Sequence, residues 1–167
     1  MKLDAIQLRV RTQTMKNIIT ATALILFPFI ALAGGHSGLG GHGTGVIVDT
    51  KVLEGKTGVI VQNITEDIWI WDNPPEGFDA ATTASCTQTI SFAAGQEAPI
   101  GGAVTCTVID ETGDIFINTG TFGGDGVLLT LVGGTGKWAA YTGAQWKGVT
   151  RHSLKGGGSV YDFTPAN

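Results

Sequence analysis

A chain of 167 residues with 26 glycines, two cysteines and a formal net charge of −4 is the right size for one domain with a real hydrophobic core. Its acidity argues against nucleic acid as a partner, because phosphate binding needs a basic surface.

The N-terminus sets the expected compartment. Lys16-Asn17 precede an apolar run over 18–33, interrupted only by Thr20, Thr22 and Pro28, and Ala31-Leu32-Ala33 supplies an A-x-A site. This pattern predicts an N-terminal extension plus signal peptide over 1–33, a mature start at Gly34, and a secreted or periplasmic protein. Met15 is an alternative start. The run is too short and poorly flanked for a membrane anchor, so no stable membrane span is expected after cleavage. Residues 1–33 carry Lys2, Arg9, Arg11 and Lys16 against Asp4, which leaves the mature part at −7. In an exported protein such acidity mainly serves solubility.

Residues 34–45 are rich in glycine and read as a flexible leader, with the barrel domain predicted over 46–167. His36 and His42 lie in the leader without a nearby Cys, Asp or Glu and match no zinc spacing, so no metal is assigned. From Gly45 onward short β-type runs alternate with glycine-rich punctuation, and no stretch holds a helical apolar period for three turns. The predicted strands cover 46–48, 57–64, 66–71, 85–92, 103–109, 114–122, 127–132, 145–153 and 159–163. Turn sequences such as Asn73-Pro74-Pro75-Glu76-Gly77, Gly123-Gly124-Asp125-Gly126 and Gly156-Gly157-Gly158 separate most of them. Links this short favour an antiparallel meander, and closure removes the exposed edges of such a meander. The expected fold is therefore all-β, a single antiparallel barrel of about eight strands.

Cys86 and Cys106 flank a predicted hairpin. If it is symmetric about Gln96, Cys86 faces Cys106 and Thr87 faces Thr105. That register permits a cross-strand disulfide in an oxidising compartment, worth about 3 kcal/mol in the chain-entropy picture. The alternative, a redox-active pair, lacks the C-x-x-C spacing.

The stretch Leu131-Val132-Gly133-Gly134-Thr135-Gly136-Lys137-Trp138-Ala139-Ala140-Tyr141-Thr142-Gly143 resembles the glycine-rich G-G-[ST]-G-x-[FWY] segment of the allene oxide cyclase and dirigent-like, calycin-type small barrels. The preceding Gly113–Gly120 strand fits the same pattern, so the resemblance covers about the last sixty residues. It implies an eight-stranded antiparallel barrel with a hydrophobic cavity. Cyclases and proteins that guide phenoxy-radical coupling belong to this group, but their catalytic residues do not map onto numbered positions here. Whether the chain is an enzyme is left open. Read physically, Gly133, Gly134 and Gly136 permit a sharp turn, after which Trp138 and Tyr141 fold back over a barrel end as a cap.

Alternation at period two puts Trp69 and Trp71 on one face of their strand and Ile68 and Ile70 on the other. Both faces are apolar, so one lines the interior while the other needs a further layer or a second subunit, which makes a homo-oligomer an expectation. On the strand 145–153, Trp146, Gly148, Thr150 and His152 share one face and Val149 and Arg151 the other. Trp69, Trp71, Tyr141, Trp146, Thr150 and His152 are the candidate ligand-binding residues, and His152 and Arg151 the candidates for proton transfer or anion binding. An exposed Arg and a hydrogen-bonded His are the plainer reading of that pair. The carboxylate pairs Glu66-Asp67 and Asp110-Glu111 read as solvated charges at turns. No nucleophile elbow, phosphate loop or cofactor motif is present. The expected function is binding of a small hydrophobic molecule in the barrel interior, with a cyclase- or isomerase-type enzyme and a filled, purely structural or protein-interaction barrel as alternatives.

Overall fold

The computed structural model describes residues 39–166. The expected signal peptide, the first part of the leader and His36 lie outside the described residues.

Eight strands form one closed antiparallel barrel in simple up-and-down order: β1 Gly40–Gly55, β2 Gly58–Asp72, β3 Ala81–Ala93, β4 Gly101–Asp110, β5 Ile115–Gly123, β6 Gly126–Gly134, β7 Gln145–Leu154 and β8 Gly158–Pro165. A 3-10 helix, Gly136–Tyr141, bridges β6 and β7. The expected fold class is observed. Two predicted runs, 57–64 and 66–71, are one strand, because Thr65 continues the alternation without a break.

The leader is where expectation and structure part. β1 begins at Gly40, so Gly40 to Gly45 are barrel wall, paired on one side with β2 and on the other with β8. Gly41, Gly43 and Gly45 face inward. A Cβ on Gly43 would fall 2.5 Å from the Tyr161 ring, one on Gly45 2.5 Å from the Asp67 carboxylate, and one on Gly41 2.8 Å from the Phe163 ring. Glycine is required here for space: large side chains from the strands on either side meet over β1. Past a bulge between Ile47 and Asp49, β1 leaves β8 and stays paired with β2 alone.

The register of β3 and β4 is the expected one, with Cys86 opposite Cys106 and Thr87 opposite Thr105. The cysteines form a disulfide facing the interior.

Burial divides the barrel along its axis. At the end where β2 leads to β3, β4 to β5 and β6 to β7, an aromatic plug fills the interior. Trp138, fully buried at 0% exposure, stacks on Phe116 at 4.1 Å between ring centroids and packs on Trp71 at 5.5 Å and Phe78 at 5.0 Å. Such rings contribute most of the apolar area a small core can bury. Trp138 Nε1 donates to Asp110 Oδ2 at 2.8 Å. Asp110 also accepts from Thr112 Oγ1 and from the Asp114 N–H, and pairs with Lys137 at 2.9 Å. Asp110 is therefore a buried anchor for the cap and not the solvated turn charge expected from its neighbour Glu111. Among the described residues no helix is long and apolar enough to cross a membrane.

Candidate functional site

The opposite end of the barrel is open. Its mouth is framed by the β3–β4, β5–β6 and β7–β8 connections and leads into a cavity of about 680 Å³. The walls are apolar, with Ile90, Phe92, Val104, Phe122, Val127 and Leu129 among them, and the Cys86–Cys106 disulfide forms part of the lining.

Polar groups gather deeper along the same walls. Thr65, Asp67, Trp69 and Trp71 are successive inward residues of β2, and Tyr161 projects from β8. These two strands are not neighbours, since β1 runs between them. Their side chains meet because β1 presents only Gly43 and Gly45 at that level. Trp69 Nε1 donates to Tyr161 Oη at 2.7 Å, and Tyr161 Oη donates to Asp67 Oδ2 at 2.5 Å. The chain of donors ends on a carboxylate that is 7% exposed. Asp67 Oδ1 and Thr65 Oγ1 are buried without a protein hydrogen-bond partner.

The electrostatics follow from that burial. Loss of water raises the Asp67 carboxyl above its ordinary value, against the hydrogen bond from Tyr161. Burial and the neighbouring Asp67 charge push the Tyr161 hydroxyl far up as well. Tyr161 therefore stays protonated, a fixed donor, while Asp67 is the group that changes charge.

Beneath the cavity a second void of about 40 Å³ touches Trp69, Trp71, Trp146 and Asn118, enough for a water molecule. Asn118 is completely buried and neither amide atom has a protein partner.

The predicted site residues divide accordingly. Trp69 and Thr150 line the cavity. Trp71 and Trp146 lie below it against the small void, with Trp146 Nε1 bonded to the Leu39 carbonyl. Tyr141 sits at the plugged end, 5.1 Å from the Phe78 ring, away from the cavity. Arg151 and His152 are both exposed, and Arg151 pairs with Asp162 at 2.7 Å. A bulge between Thr150 and His152 breaks the alternation that would have carried His152 inward. Neither residue reaches the interior, which removes both from the candidate chemistry. Asp67, Thr65 and Tyr161 were not among the expected site residues. The signal was the period of two: extending the Trp69/Trp71 face backward gives Asp67 and Thr65, and Ser159, Tyr161 and Phe163 alternate in the same way.

Comparison with protein-family models finds no match, and searches among curated proteins and solved structures likewise find none.

Proposed function

We propose that this barrel binds a small hydrophobic molecule in its open half, as an exported protein whose disulfide forms outside the reducing cytoplasm. One observation carries the reading: a cavity of about 680 Å³ remains in an eight-stranded barrel whose other end is sealed by Trp138. Barrels of eight strands are narrow enough for side chains to fill them completely. Here the volume left in the open half falls in the range of small-molecule sites. The filled, purely structural barrel is disfavoured by the same volume. Kinship with the allene oxide cyclase and dirigent-like barrels is part of the proposal, supported by the meander closure and by the glycine corner after β6.

Titration with the neutral apolar fluorophore N-phenyl-1-naphthylamine tests it. Saturable enhancement with one site per chain is expected, and Leu129→Trp, which fills the cavity from β6, should abolish it while circular dichroism stays native. A folded wild type that shows no saturable binding overturns the reading.

A cyclase- or isomerase-type enzyme is the second reading. It is favoured by the Asp67–Tyr161 couple, a buried carboxylate with a raised pKa beside a fixed donor in a water-poor cavity.

A further inference from the structure

We propose that the deep end of the cavity is a subsite for a protonated amine, the ammonium of a hydrophobic amine being held by Asp67 and Thr65 with its apolar body in the cavity above. The inference rests on the ligand-binding reading and names the class of ligand.

The first support is the set of unused acceptors. Asp67 Oδ1 and Thr65 Oγ1 belong to residues more than nine-tenths buried, line the cavity, and lack a protein partner. Buried polar atoms in native proteins nearly always have a partner, since an orphan forfeits its full desolvation cost. Two of the nearby protein donors are committed, the Tyr161 hydroxyl to Asp67 Oδ2 and the Trp69 N–H to Tyr161, and the third is the Thr65 hydroxyl itself. None of the three is a cation, and among the described residues no Lys, Arg or His pairs with Asp67, so what the buried carboxylate lacks is a counter-ion.

The second support is sign. Every charged residue lining the cavity is an acid: Asp67 in its depth, Glu97 and Asp125 toward the mouth. Asp125 is already paired with Lys147, which leaves Glu97 and Asp67 facing the path inward. A carboxylate or phosphate ligand would meet only repulsion. An alcohol brings a single donor, whereas an ammonium brings three donors and the charge that offsets a desolvated carboxylate.

The test displaces bound N-phenyl-1-naphthylamine with decylammonium, decanol and decanoate at pH 7, each below its aggregation limit. The expected order is decylammonium tightest, about tenfold or more ahead of decanol, with decanoate weakest. Asp67→Asn should bring decylammonium to the level of decanol, each compared with the variant's own fluorophore affinity. Thr65→Val should weaken only the amine, and provides the same reading should the Asp67 variant not fold. Glu97→Gln should keep the preference, separating the deep site from general attraction to an acidic mouth. Equal binding of amine and alcohol by the wild type overturns the proposal, as does a preference that survives Asp67→Asn or vanishes with Glu97→Gln. Failure of the fluorophore itself to bind would instead remove the ligand-binding reading, and the amine subsite with it.

Discussion

Trp138 and Asp110 meet through a 2.8 Å hydrogen bond at a point where neither side chain reaches solvent. The indole closes the plugged end of the barrel, and the carboxylate fixes the indole while holding Lys137 above it. Trp138→Ala should therefore cost about 3–5 kcal/mol, the range for truncating a large aromatic in a core. Trp138→Phe should recover part of the packing but leave Asp110 short of one donor. Chemical denaturation of the three proteins checks this, and an alanine variant as stable as wild type would remove the cap role.

The same carboxylate makes the fold acid-sensitive. Burial alone would raise its pKa, but hydrogen bonds from Lys137, Thr112, Trp138 and the Asp114 backbone outweigh that and hold it well below the usual carboxylate range. Its folded value thus lies under the unfolded 3.8. The stability it provides is complete above about pH 4 and is lost as pH falls through the folded value. Asp110→Asn should be less stable at pH 7, by about 3 kcal/mol as expected when a buried pair loses one partner, and should show a flatter stability profile below pH 4. Melting curves across pH 2–7 decide it.

Asp67 has the opposite sign. Its folded value lies above 3.8 because burial disfavours the charge, so its ionisation weakens the fold as pH rises through that value. Asp67→Asn should melt higher than wild type at pH 7, and the gap should close below pH 4. A variant less stable at every pH would show that the carboxylate supports the barrel instead of burdening it.

The Cys86–Cys106 disulfide should appear as two thiols alkylated only after reduction. Reduction should cost about 3 kcal/mol, the chain-entropy value for a 20-residue separation. Intact mass with and without reductant provides the check. Free thiols in protein isolated without reductant would contradict it.

Ile68 and Ile70 stand on the outer wall at 49% and 41% exposure. The register places Ile68, Thr83, Ile109 and Ile115 side by side across β2 to β5, a row without charge. We propose that this face pairs with a second copy of the chain, since an acidic protein meets least repulsion there. Light scattering at tens of micromolar should show an oligomer, and Ile68→Lys with Ile109→Lys should yield a folded monomer. A monomeric wild type would end the idea.

How much of this was legible in the sequence depended on whether a side chain was there to report it. The β3–β4 register was readable because two cysteines and two threonines flank a symmetric turn, and Trp138 because one aromatic follows a glycine corner. β1 was not, since Gly41, Gly43 and Gly45 erase the alternation that marks a strand and resemble a linker instead. Asp67 was hidden by Glu66: two adjacent acids suggest a turn unless the strand on either side is seen to continue. His152 was misplaced by a bulge, which shifts the pairing by a residue and has no marker in its neighbours' chemistry.

The seam between β1 and β8 bears on how the barrel comes to exist. Gly41 pairs with Phe163 and Val46 with Gly158, so the last contact to form joins the first and last strands of the meander. Every other strand pair is local and can form as the chain emerges, but the ring closes only once β8 is available. Until then β1 presents a bare edge and the aromatic residues of β2 lack their cover, a state open to pairing with other chains. A chain stalled before Phe163 thus carries an aggregation hazard that the finished ring does not.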